Sequence, residues 1–244
     1  NTAFHDTLPI VEKILPLPRT AWDQGLRRYG FHGLSYEYLA LTLGERYGDA
    51  ARAGTVVAHL GSGASLCAMN NLQSTATTMG FSALDGLMMG TRCGSLDPGA
   101  LLFLMESGKL SPERVGHVLY HESGLLGVSA RSSDPRVLLE HEDETATREA
   151  LALYVHRIVR ELGALVATLN GLDMLAFRAG IGEHNAVIRE RICARLGFLG
   201  VALDPAANAV NAPIVSTPAS KVLVVVEPTN EEWVAANAAA TIIA

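Results

Sequence analysis

At 244 residues with 49% hydrophobic side chains, the chain can bury one large core, or a core with an appendage. Nineteen Lys and Arg against 25 Asp and Glu leave a formal charge of −6, which argues against nonspecific nucleic-acid binding and against an anionic membrane partner. Three scattered cysteines (Cys67, Cys93, Cys193), odd in number and without CxxC spacing, indicate neither a disulfide frame nor a zinc site and fit a reducing, cytoplasmic compartment. An anionic substrate would need a local cationic pocket. No stretch approaches the ~18 consecutive apolar residues of a spanning helix. The opening residues lack the basic start and apolar core of a signal peptide. The chain starts at Asn1 rather than Met, so a longer natural product is expected.

Residues 1–25 read as irregular, broken by Pro9, Pro16 and Pro18. Ser35 to about Tyr47 reads as a helix stopped at Gly48. Thr55–Leu60 is a predicted strand, Gly61-Ser62-Gly63 a turn, Ser65–Met69 a second strand, Asn70-Asn71 a tight turn and Leu72–Met79 a third strand. Short helices follow at Pro98–Ser107 and Ser111 to about His121. A long one at Thr145–Asn170 carries Leu151, Val155, Ile158, Leu162, Leu165 and Leu169 on one face. Asp173–Phe177 is a buried strand running into Ala179-Gly180-Ile181-Gly182-Glu183. A helix at Val187–Leu196, a strand at Lys221–Val226 and a final helix opened by a Thr229/Glu232 capping box complete the pattern. Three antiparallel strands followed by alternating helices and strands predict a mixed α/β fold: a mixed sheet with an antiparallel meander and flanking helices.

Five segments could carry chemistry. In His59-Leu60-Gly61-Ser62-Gly63, glycines let backbone amides approach an anion, although no GK[ST] follows and an ordinary hairpin turn has the same pattern. Arg92 lies among small and apolar residues, where its five-donor fork suits a carboxylate or phosphoryl group, or else a salt bridge to Asp85 or Asp97. His32, flanked by Gly30 and Gly33, could donate to developing negative charge or serve as a hydrogen-bonded structural residue. The strand ending at Phe177-Arg178 runs into glycines, where α/β folds bind nucleotides, and a plain strand–helix link reads the same way. In Pro228-Thr229-Asn230-Glu231-Glu232, capping accounts for Glu232 and leaves Glu231 available to a metal.

The order of these segments is specific. Residues 1–5 (NTAFH), 27–35 (RRYGFHGLS), 59–65 (HLGSGAS), 77–98 (TTMGFSALDGLMMGTRCGSLDP), 122–136 (ESGLLGVSARSSDPR), 179–183 (AGIGE) and 228–232 (PTNEE) together resemble the acetate kinase family over essentially the whole chain. The resemblance implies the acetate and sugar kinase/Hsc70/actin-like (ribonuclease H-like) fold, with two related domains around a nucleotide cleft. Residues 1–3 would fall at the interdomain junction and 4–228 would form the second, C-terminal kinase domain. Residues 229–244 would be a C-terminal helix returning toward an N-terminal domain that this chain lacks.

The activity implied is transfer of the ATP γ-phosphoryl group to acetate or a similar short-chain carboxylate, in line and without a covalent intermediate. Family members pair through this domain, so a homodimer is expected. Carried over residue by residue, Arg92 and His32 would stabilise the transferring group, and Asn1 would stand at the metal or substrate end. His59, Leu60, Gly61, Ser62 and Gly63 would hold phosphates. Asp134, Pro135 and Arg136 would flank the adenosine, with the turn Gly180, Ile181, Gly182, Glu183 and His184. Glu231 would position Mg²⁺.

Departures from the family pattern are Asn1 for an aspartate, Leu34 and Tyr36 for a threonine and a histidine, Ser62 for an asparagine, Arg178 for a threonine and His184 for an asparagine. Arg178 and His184 are expected to bracket the adenosine turn. The competing expectations are a nucleotide-binding or dimerisation module without chemistry, and glycine turns that are purely structural.

Overall fold

The computed structural model describes residues 2–228, so Asn1, Glu231, the Thr229/Glu232 cap and the final helix lie outside the described residues. The first 25 residues, expected to be irregular, form a 3₁₀ turn (Ala3–Thr7) and two single-turn helices, α1 (Ile10–Lys13) and α2 (Arg19–Asp23). Pro9 and Pro18 stand as their N-caps, where a missing N–H is harmless. Helix α3 (Gly33–Tyr47) starts from His32 in the left-handed region and is followed by α4 (Asp49–Arg52).

Strand β1 (Thr55–Leu60) falls where its β-branched run places it. β2 (Ala64–Asn70) continues one residue beyond expectation because Asn70 pairs with Gln73, and the hairpin turn moves to Asn71 and Leu72, both at positive φ. β3 (Gln73–Thr77) closes the meander. Then come α5 (Pro98–Glu106), α6 (Pro112–His121), α7 (Gly124–Ser129), α8 (Pro135–Leu139) and the 25-residue α9 (Thr145–Leu169). Asn170 and Gly171, both at positive φ, end α9. β4 (Met174–Arg178) runs directly into α10 (Ala179–His184), followed by α11 (Ala186–Ala194), α12 (Pro205–Ala209) and β5 (Leu223–Val226).

The sheet order is β3-β2-β1-β4-β5, with β1, β2 and β3 antiparallel and β1, β4 and β5 parallel. Strand alternation divides its side chains between two cores. Val56, Ala58, Leu60, Leu66, Phe177 and Val224 pack with Leu151, Tyr154, Ile158 and Leu162 of α9. Val57, Cys67, Met69, Ala176 and Val225 pack with Tyr36, Leu39 and Leu43 of α3. The helical stripe read from the sequence is therefore the face α9 lays on the sheet. The carboxyl ends of the three parallel strands lie together at one edge of this sandwich, the place where open α/β sheets leave a crevice.

Candidate functional site

That crevice is built around the turn after β1. Gly61 N–H donates to the Gly63 carbonyl at 3.1 Å, which folds the turn tightly and leaves Gly63 facing outward. A Cβ placed on Gly63 would lie 3.4 Å from both Arg92 Nη1 and His32 Nε2, so the guanidinium and imidazole converge on one point above a glycine. Arg92 donates to the Ala83 carbonyl at 3.1 Å and forms no ion pair with Asp85 or Asp97 among the described residues. Asp85 instead accepts from Ser95 and lies 3.9 Å from Arg28.

The loop carrying His32 is fixed from beneath. Buried His5 bonds the Phe31 carbonyl through Nε2 at 2.9 Å and Ser74 Oγ through Nδ1 at 2.8 Å. A carbonyl can only accept, so Nε2 carries the His5 proton and Ser74 donates to Nδ1. Gly30, at φ +73, gives this ring room, since a Cβ there would stand 2.5 Å from His5 Cδ2. His5 is a supporting residue that sequence reasoning quoted within a motif without giving it a task.

Behind the Gly63 turn, strand register sets Ser65, His59 and Arg178 in one row across β2, β1 and β4, on the face covered by α3. The His59 ring stacks on His32 with centroids 4.1 Å apart and planes 10° from parallel. Burial, then the neighbouring His32 and Arg178, lower the His59 pKa to about 2. The ring therefore stays neutral in the fold, while an unfolded chain protonates it below about 6.5. The unfolded state binds more protons throughout the window from 6.5 down to about 2, so stability falls as pH falls there, by at most about 1.4 kcal/mol per unit. Urea unfolding at pH 6.5 and 5.0 should show a loss of about 2 kcal/mol, much of it absent in His59→Gln. Equal pH dependence in the two proteins would contradict the neutral assignment.

From the Gly63 end, a wider hollow of about 630 Å³, lined by His32, His59, Arg92, Gly180, Glu183 and His184, runs into a second of about 370 Å³. Gly61, Ser62, Gly180 and His184 border both, making one continuous groove. The far hollow is closed by Ser133, Asp134, Pro135 and Arg136 on one side and by Gly180, Ile181, His184 and Asn185 on the other. Asp134 caps α8 by accepting from Arg136 N–H at 2.8 Å, and the Arg136 guanidinium beside it holds its carboxyl below the ordinary range.

Several expectations need correction. Residues 179–184 form helix α10 rather than a turn, because Arg189, buried without exposure, binds the Gly182 and Glu183 carbonyls at its end and closes the segment into a helical turn. Gly182 faces the sheet, 3.5 Å by its would-be Cβ from the Ala58 carbonyl, and does not line the groove. Leu60 is fully buried in the α9-facing core, so only its backbone is available there. Arg178 does not bracket the far hollow: alternation turns it under His59, where it donates to the Ser35 carbonyl and braces α3. His184 does border the groove and is exposed. Neither Arg189 nor its partner Asn208 had been singled out. The available signal was an arginine at helical spacing from Ala186, Ile192 and Cys193, on the face of the helix that carries small and apolar residues.

No group of three or more His, Cys, Asp or Glu able to hold a metal occurs among the described residues. The donors at the Gly63 end of the groove are three imidazoles, a guanidinium and glycine amides, with Glu183 as a carboxylate at its lining. That set fits a hard ion carried in by phosphates and water more than a protein cage.

Comparison with known proteins gives a consistent result. The model of the Acetokinase family matches residues 1–237. The chain is 54% identical to the acetate kinase of Rhodopseudomonas palustris (strain TIE-1) over 240 residues, 97% of this chain and 60% of that protein. Against the acetate kinase of Methylocella silvestris it is 48% identical over 237 residues, 97% of this chain and 58% of that one. It superposes on the crystal structure of Porphyromonas gingivalis acetate kinase with a TM-score of 0.94 at 36% identity, covering 100% of this chain and 63% of that one. A propionate kinase from Francisella tularensis gives 0.90 at 32% identity, with 96% and 61% covered. The chain thus spans about 60% of the length of the relatives it matches.

Proposed function

The chain belongs to the Acetokinase family, and on that premise we propose that it forms the nucleotide-binding half of a kinase moving the ATP γ-phosphoryl group to acetate or a similar short-chain carboxylate. The products are an acyl phosphate and ADP, and the reaction is reversible. In this reading residues 4–228 are the second domain, 1–3 the junction to a preceding domain, and 229–244 the return toward it. The observation that carries the reading is the convergence of Arg92 Nη1 and His32 Nε2 on Gly63, at one end of a groove long enough for a nucleotide.

Adenosine would lie in the hollow between Asp134–Arg136 and Gly180–His184, with the phosphates crossing Gly61–Gly63. Two glycines there expose amides to an anion at close range. The substrate carboxylate attacks phosphorus as the bond to ADP breaks, and charge spreads over the equatorial oxygens. Arg92 offers a fixed cationic fork to those oxygens and His32 an N–H donor; neither needs to reorganise as the charge moves. Mg²⁺ would supply positive charge to the phosphates. Glu231 would hold it directly or through water, and Glu183 is the carboxylate nearest the phosphate end of the described groove. Asn1 would stand at the metal or substrate end.

Helix α5 buries none of its residues and exposes Leu102 and Phe103, which supports pairing of two chains through this face. No helix among the described residues is long and apolar enough to cross a membrane. The scattered, unbridged cysteines support the cytoplasm as its compartment.

The test uses the full coding sequence and the 244-residue chain side by side. The full protein, given Mg-ATP and acetate or propionate, should accumulate acyl phosphate, trapped as its hydroxamate, at about 1–100 s⁻¹. The 244-residue chain should release heat on titration with Mg-ATP yet turn over far more slowly, since about 40% of the length of its relatives lies outside the matched region. A full-length protein that makes no acyl phosphate refutes the reading. Binding without turnover in both would favour a nucleotide-binding module.

A further inference from the structure

Tyr36 occupies the first turn of α3, directly behind His32, and is fully buried. Its hydroxyl lies 2.5 Å from Ser65 Oγ, its one hydrogen-bond partner among the described residues. Ser65 Oγ in turn lies 2.8 Å from His32 Nδ1. Ser65 is also without exposure, so water does not stand in for either contact.

Only one proton order satisfies this chain of three groups. If Tyr36 donates to Ser65, the serine proton goes to His32 Nδ1 and each donor has an acceptor. If His32 Nδ1–H donates instead, three donor protons share two contacts, and either the Ser65 or the Tyr36 hydroxyl proton is left buried without an acceptor among them, which is the expensive arrangement. Burial also drives the Tyr36 phenol well above its ordinary pKa, so it keeps the proton it donates.

We infer that Tyr36 and Ser65 fix the tautomer of His32, holding Nδ1 as an acceptor so that Nε2–H points at the site over Gly63. The inference rests on the phosphotransfer reading for its purpose, although the tautomer itself does not. Tyr36 is then a positioning residue, because it acts only through Ser65 and His32. His32 is a neutral donor that keeps its proton throughout, while Arg92 supplies the positive charge.

The groups facing His32 agree with this division. From β1 comes His59, stacked at 4.1 Å and kept neutral; Arg178 lies beneath His59; Arg92 approaches from the loop after β3; and Ser65 and Tyr36 stand at Nδ1. Glu183 and His184 line the same hollow, and the Arg92 and Arg178 guanidinium groups oppose an imidazolium there. A protonated His32 would also need Ser65 as an acceptor, again leaving one buried hydroxyl proton without a partner in these contacts.

Long-range ¹⁵N–¹H NMR of the histidine-labelled 244-residue chain at pH 7 reads this directly. His32 should show a protonated Nε2 and an unprotonated Nδ1. Tyr36→Phe, which removes one oxygen, should move both nitrogens toward averaged shifts. Ser65→Ala should do the same with Tyr36 intact, so a folding defect in one variant leaves the other to decide. In the full-length protein Tyr36→Phe should lower kcat about tenfold with KM for ATP within about twofold. A protonated Nδ1 in the parent chain, or shifts unmoved in both variants, overturns the inference. The expected tautomer in a full-length protein without phosphotransfer would refute the kinase reading and leave the inference standing.

Discussion

Arg92→Ala should lower kcat for phosphotransfer in the full-length protein by about 10³-fold, within a range of about 10²–10⁴, while Mg-ATP affinity changes by only several-fold. The first half follows from where the guanidinium stands. It is held by the Ala83 carbonyl and by a 3.6 Å contact with Met89 Sδ, and no described carboxylate neutralises it. A half-buried, oriented cation without a fixed counter-ion is available to an external anion, and its value is largest where negative charge is greatest. The second half follows from distance along the groove. The far hollow between Asp134–Arg136 and Gly180–His184 does not include Arg92. Arg92→Lys should recover only part of the loss, because an ammonium reproduces the charge but not the planar fork. Steady-state kinetics with calorimetry separate the two quantities. Phosphotransfer surviving within a few-fold in Arg92→Ala would mean that this side chain does no work in the transition state.

Much of this arrangement was legible in the residues, and the parts that were not have identifiable causes. β1 and the start of α9 were read at their true bounds, because a β-branched run and a long four-and-three stripe are strong local signals. Helix α8 was missed although Asp134-Pro135 opens it in the same way that Asp97-Pro98 opens α5 and Asp204-Pro205 opens α12. In each, the aspartate accepts from a backbone N–H two residues on, with proline at the first helical position. Five-residue helices carry too few periodic positions to register otherwise. The fates of Arg178 and Leu60 were decided by strand alternation, since adjacent register positions fall on opposite faces. Had the predicted strand been extended one residue, the sequence would have put Arg178 on the α3 side with Ala176. The meeting of His32 with Arg92 was not derivable from spacing. Sixty residues separate them, and only the family resemblance brought them into one expectation before the fold did.

Gly124→Ala should be strongly damaging for a single added methyl, although residue 124 touches no part of the groove. Gly124 has φ +64, a conformation in which an added Cβ is strained. That Cβ would also stand 2.2 Å from the Met89 carbonyl oxygen and 2.8 Å from the Arg92 carbonyl oxygen, both main-chain atoms that no rotamer change can move aside. The same segment pins the Arg92 loop through main-chain hydrogen bonds: Ser123 N–H to Thr91 at 3.0 Å, Leu125 N–H to Met89 and Leu126 N–H to Gly90, both at 2.9 Å. Either α7 or the loop must give way, and several of these bonds are lost with it. A loss of about 3–4 kcal/mol is expected, or about 10 °C in Tm for a domain of this size. Gly116→Ala is the natural control. Its Cβ would meet nothing within 4 Å in helix α6, and the change should stabilise by about 0.5–1 kcal/mol. Melting of Gly124→Ala within about 2 °C of the parent would show that the loop is not held by this contact. If stability falls as expected, kcat in the full-length protein should fall further than the unfolded fraction accounts for, because the displaced main chain belongs to Arg92 itself.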